Sequence, residues 1–107
     1  MEREIKVHFL AIKGRWDANT DGIIKSKLKT LVNGQRTHLV LDLQQVHFMD
    51  SSGLGSLVAC YRMVAKTGGD IKLCSLNPQI QNLVELTRLN QLFDIFETPE
   101  QAKRSFM

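Results

Sequence analysis

The sequence predicts a small α/β protein built on a mostly parallel sheet with alternating helices. Two observations carry that expectation. Short apolar runs of strand character alternate along the chain with segments whose apolar residues recur every three to four positions. Each intervening segment is also long enough to cross over the sheet, which parallel neighbours require.

The first strand is expected over Ile5–Lys13, where alternation gives way to a fully apolar stretch, with Gly14 and Arg15 ending it. The run Asp17-Ala18-Asn19-Thr20-Asp21 is dense in residues whose side-chain oxygens satisfy the free N–H groups of a helix start. Ile23, Ile24, Leu28, Leu31 and Val32 then share a helical face, and Asn33-Gly34 supplies a left-handed stop. His38–Leu43 reads as a central strand, and Val46-His47-Phe48-Met49 leads on to Asp50-Ser51-Ser52-Gly53. Leu54, Leu57, Val58, Tyr61 and Val64 or Ala65 mark a second helix closed by Gly68-Gly69. Ile71–Leu76 is another strand. Asn77-Pro78 opens a third helix with Ile80, Leu83, Val84 and Leu86 or Thr87 inward. Phe93–Phe96 reads as a last short strand, and Thr98-Pro99-Glu100-Gln101 matches a capping box before a short C-terminal helix. No repeat, linker or low-complexity segment divides residues 1–107, so one domain is expected.

Composition narrows the function classes. The chain has 107 residues, 43% hydrophobic and 23% charged, enough for one core without metal or disulfides and too little for a deep cofactor cleft. No run approaches the roughly 20 apolar residues of a membrane span. Met1-Glu2-Arg3-Glu4 is mixed-charge rather than a signal-peptide start. Cys60 and Cys74 sit in apolar surroundings and read as reduced core residues, so a cytoplasmic setting is expected. The net charge of +3 comes from 14 basic and 11 acidic residues. The basic residues are dispersed and no aromatic platform lies among them, which argues against nucleic acid.

Catalytic and cofactor motifs are missing. Gly68-Gly69 ends a helix rather than opening one, and there is no phosphate-binding loop. Met49-Asp50 before Ser51 breaks the hydrolase nucleophile-elbow pattern. His8, His38 and His47 lack metal-ligand spacing, and His8 and His38 fall in strands as structural residues.

The unusual segment is Asp50-Ser51-Ser52-Gly53-Leu54-Gly55, an acid and two hydroxyls where a strand gives way to a helix. A plain N-cap accounts for one such residue, not three. Two glycines in a first turn weaken a helix by about 1 kcal/mol each relative to alanine and leave backbone open to close approach. A serine hydroxyl on such a rim is placed for phosphorylation.

Leu39-Val40-Leu41-Asp42-Leu43 followed by Val46-His47-Phe48-Met49-Asp50-Ser51-Ser52-Gly53-Leu54-Gly55 resembles the bacterial anti-sigma-factor antagonists, founding members of the STAS domain family. Gly14-Arg15-Trp16-Asp17-Ala18-Asn19-Thr20 is similar to that family's first block. Gly68-Gly69-Asp70-Ile71-Lys72-Leu73-Cys74, Asn77-Pro78 and Leu89–Phe93 follow in the family's order, so the resemblance covers nearly the whole chain.

The resemblance implies a non-enzymatic partner switch. Unphosphorylated, the chain would bind a serine-kinase-type anti-sigma factor. That kinase would phosphorylate Ser51, and a metal-dependent serine phosphatase would reverse the step. ATP and metal would belong to those partners, leaving this chain without a cofactor. Asp17, Thr20, Asp50, Ser52, Gly53, Leu54 and Gly55 would form the partner-facing rim, although Asp17 and Thr20 could equally serve as caps alone. The alternative is a STAS scaffold or a small-ligand or nucleotide-sensing module in another bacterial signalling system. Two features depart from the family. Only Met1–Glu4 stands where a further N-terminal strand is usual, so either the N-terminal strand is shortened to almost nothing or the first segment bends early, and an uncovered edge could then pair with a second copy as a homodimer. Trp16 replaces a smaller aliphatic residue and either packs under the first helix or anchors a partner.

Overall fold

The computed structural model describes residues 6–107. Four strands, β1 (Val7–Trp16), β2 (His38–Met49), β3 (Asp70–Cys74) and β4 (Asp94–Phe96), alternate with helices α1 (Asp21–Val32), α2 (Ser51–Ala65), α3 (Pro78–Leu86) and α4 (Pro99–Arg104). The sheet order is β1-β2-β3-β4 and every pairing is parallel. Whatever precedes Lys6, including the expected shortened N-terminal strand, lies outside the described residues, and among those residues β1 is an edge strand of the sheet.

The alternating side chains of β2 sort the core. Leu39, Leu41 and Leu43 point to one face and pack with Leu28 of α1, Leu57 and Val64 of α2, and Ile80 and Val84 of α3. Val40 points to the other face, where Cys74, Ala102 and the rings of Phe96 and Phe106 form a smaller cluster beneath α4. Lys72 reaches this second face. Its ammonium lies 2.8 Å from Asp94 Oδ2 and 4.9 Å from the centre of the Phe106 ring, so a buried charge has both a counter-ion and an aromatic lid. Both cysteines are free and buried, as their apolar surroundings predict.

The structure corrects several boundaries. β1 does not end at Gly14 but continues to Trp16, because β2 carries an extra residue at each of two register irregularities, opposite Ala11/Lys13 and Gly14/Arg15, and the pairing resumes beyond them. Gly14 has φ +82°, a conformation glycine adopts without penalty, so β1 can bend opposite the bulge in β2 instead of stopping. β2 likewise extends past Leu43 through Met49, and Arg15 stacks its guanidinium 4.0 Å from the centre of the Phe48 ring across the paired strands. β3 stops at Cys74, and Ser75 turns away with φ +62°. On α1, Ile23 is 61% exposed, off the buried face formed by Ile24, Leu28 and Val32. On α3, Leu86 is exposed, and Thr87 turns its hydroxyl back to the Leu83 carbonyl.

Helix signals fare well. Asn33 closes α1 in the left-handed region at φ 44°. Asn77 Oδ1 accepts from the Ile80 N–H at 3.0 Å, and its Nδ2 donates to the Val46 carbonyl at 2.7 Å, tying the start of α3 to the outer part of β2. Thr98 accepts from the Gln101 N–H, and the Gln101 side chain accepts in return from the Glu97 N–H, one residue before the reciprocal position of a capping box.

Candidate phosphoacceptor site

The parallel register pairs Trp16 with Met49, so β1 and β2 end side by side. The chain leaving β1 (Asp17–Thr20) and the chain leaving β2 (from Asp50) therefore emerge together at the carboxyl edge of the sheet. Open α/β sheets commonly bind ligands at that edge.

Asp50 is the N-cap of α2. Its backbone is extended at φ −104° and ψ −169°, and Oδ1 accepts from the Gly53 N–H at 3.0 Å. Such a cap stabilises a helix by about 1 kcal/mol. Ser51 and Ser52 are consequently the first two residues of the helix, where backbone N–H groups lack intrahelical acceptors. Both serines are exposed, and among the described residues neither hydroxyl is held by a hydrogen bond.

The two glycines of the motif have different physical roles. A Cβ at Gly53 would collide with the Trp16 carbonyl oxygen and stand 2.7 Å from Met49 Cγ. Gly53 is buried, and its missing side chain lets the first turn of α2 close against the end of β1. This removes Gly53 from the exposed rim assigned to it above. Gly55 has nothing within 4 Å of its Cβ position and is exposed, so the open backbone inferred from both glycines exists there alone. Leu54 is half-buried and packs against the main core.

Asp17 and Thr20 build the neighbouring turn. Asp17 Oδ1 accepts from the Asn19 N–H at 3.0 Å, forming an Asx turn, and Oδ2 faces Arg15 Nε at 3.2 Å. Thr20 occupies the N-cap position of α1 but makes no capping bond. Its Oγ1 instead donates to the Arg15 carbonyl at 2.8 Å and accepts from the Asp17 N–H at 3.0 Å. The hydroxyl thus clamps the turn shut rather than capping the helix it precedes. The Arg15 guanidinium holds the Asp17 carboxyl below its ordinary value, against the opposing effect of partial burial. Asp21, in the first turn of α1, pairs with Lys25 at 3.2 Å. It lies beside Ser56 of α2, though the two oxygens stop short of hydrogen-bond geometry. The Ser56 hydroxyl, then Lys25, holds the Asp21 carboxyl low while burial opposes them.

Trp16 is fully buried, which decides between its two readings: it packs in the main core and presents no exposed anchor. Arg15, exposed at the same edge, and Ile23 at the start of α1 are surface features that sequence reasoning missed. Arg15 becomes visible only through the pairing that sets it against Phe48. Ile23 fits the helical period and nothing local marks it as outward.

The STAS domain model matches residues 2–102, and the chain belongs to that family. Within it, the sequence aligns with proteins of similar length that are named as anti-sigma-factor antagonists. It is 35% identical to the anti-sigma-B factor antagonist of Bacillus subtilis, over 88% of this chain and 83% of that one. It is 28% identical to the anti-sigma F factor antagonist of Paenibacillus polymyxa, over 95% and 88% of the two chains. The crystal structure of an anti-sigma factor antagonist from Mycobacterium paratuberculosis superposes with a TM-score of 0.83 at 26% identity, covering 97% of this chain and 88% of that one.

Proposed function

We propose that this protein is an anti-sigma-factor antagonist switched by phosphorylation of Ser51. Unphosphorylated, it binds a serine-kinase-type anti-sigma factor in the cytoplasm; phosphorylated, it is released, and a metal-dependent serine phosphatase restores it. The chain is the substrate of both enzymes and supplies no catalytic group. The observation that carries this reading is the exposed Ser51 hydroxyl at the first position of α2, in a helix whose cap is provided separately by Asp50.

The chemistry supports a surface switch. Phosphate brings about −1.5 to −2 charges and three acceptor oxygens. At a helix start an anion is favoured by about 0.3–1 kcal/mol when exposed. The fold therefore tolerates the modification, and its effect falls on the docked partner through bulk and through repulsion added to Asp50 and Asp17. The docking rim comprises Asp50, Ser52, Leu54 and Gly55, with the Asp17–Thr20 turn beside them. The test is incubation with the cognate anti-sigma kinase and ATP, comparing wild type with Ser51→Ala. Label is expected on the wild type alone, and label of equal intensity on the variant would move the acceptor elsewhere or discard the switch.

A further inference from the structure

At the far end of α2 from Ser51, the last turns of α1 and α2 line a groove of about 830 Å³. Its apolar wall includes Val32, Ala59 and Met63, and its charged margin is Lys29, Arg62 and Lys66. No carboxylate lines it, and none of these three cations is ion-paired among the described residues. Basic residues near helix C-termini are individually favoured by the helix dipole. That preference does not account for three of them surrounding an apolar trough that the described chain leaves unfilled.

We propose that this groove is a binding site for a small anionic amphiphile, a carboxylate with an aliphatic body. The reading is independent of the phosphoacceptor assignment. Charge complementarity fixes the sign of the ligand, since three cations without a local acid favour an anion. The apolar wall fixes its body, because burying aliphatic surface yields about 25 cal/mol per Å². The footprint fixes its size. From Ala59 to Lys66 the groove follows α2 for about 10 Å at 1.5 Å per residue. The volume lies within the roughly 300–1,000 Å³ of small-molecule sites.

The test is an amide-resolved NMR titration of the whole protein with sodium decanoate below its micelle concentration. Decanol and decyltrimethylammonium serve as neutral and cationic arms. Saturable shifts centred on Val32, Ala59, Met63 and Lys66 are expected, with decanoate binding more tightly than either control. The Arg62→Gln/Lys66→Gln variant changes only exposed side chains and is expected to bind decanoate about tenfold more weakly, equivalent to about 1.4 kcal/mol. Ser51→Ala is expected to bind it like wild type. Absence of saturation, shifts centred elsewhere, or equal response to all three amphiphiles would overturn the proposal. So would an acidic amphipathic peptide that occupies the groove where decanoate does not.

Discussion

The two glycines of the helix start should respond to alanine with opposite signs. At Gly53 the added methyl meets the Trp16 carbonyl oxygen, stands 3.1 Å from its carbonyl carbon and 2.7 Å from Met49 Cγ. Two of those three atoms are backbone, so relief requires moving the first turn of α2 away from β1. Overpacking of this kind costs about 1–3 kcal/mol. Replacing glycine by alanine in a helix returns about 0.5–1 kcal/mol. Because the obstacle is backbone, the cost falls at the upper end of the overpacking range, and Gly53→Ala is expected to lose about 2 kcal/mol net. Gly55→Ala meets nothing within 4 Å, keeps only the favourable contribution, and is expected to gain about 0.5–1 kcal/mol. Urea denaturation followed by circular dichroism reads both midpoints. For a domain near this size each kcal/mol moves Tm by about 4–8 °C, so thermal melts should separate the variants clearly. A Gly53→Ala protein as stable as wild type, or a Gly55→Ala protein that falls equally far, would refute the packing account of the motif.

Asp50→Ala should lower stability by about 1 kcal/mol through loss of the bond to the Gly53 N–H, while Asp50→Asn keeps an accepting oxygen and most of that stability; chemical denaturation distinguishes them. The carboxyls of Asp17 and Asp21 are held below their ordinary value of 3.8, so each contributes stability that is complete above pH 3.8 and is lost as pH falls through its lowered folded value. In acid unfolding curves, Asp17→Asn and Asp21→Asn should each flatten the loss of stability in that window and leave the slope at neutral pH unchanged. Burial pushes the Cys60 thiol up to about 11 and raises Cys74 as well, so neither should react with a thiol reagent at pH 8 until the protein unfolds. Rapid labelling of native protein would contradict the placement of both cysteines in the core.

What could be read without coordinates follows the range of the interactions involved. Asn33 at the end of α1 and Asn77-Pro78 at the start of α3 act within one turn of themselves, and both helices respect those signals. The alternation of β2 beyond Leu43 was interrupted by Gln44-Gln45, and only the pairing of Phe48 with Arg15 and Met49 with Trp16 shows that the strand resumes. Gly14 reads as a stop because a glycine at positive φ ends a strand or bends it past an irregularity, and the irregularity here lies in the neighbouring strand. At the site, Asp50 was identifiable as a cap because a cap is local. Gly53 and Gly55 looked equivalent because the atom that separates them, the Trp16 carbonyl oxygen, belongs to another strand. Thr20 shows the same limit. A threonine before a helix can cap it or clamp the turn behind it, and the Arg15 carbonyl decides for the second.

The proposed Ser51 switch alters the docking surface and leaves the fold intact. Amide chemical shifts of the protein phosphorylated at Ser51 and of the unmodified protein test it most directly. Changes confined to the first turns of α2 and the facing Asp17–Thr20 turn are expected. Changes spread through β3, β4 and α4 would contradict it, because they would mean that the phosphate acts by rearranging the scaffold.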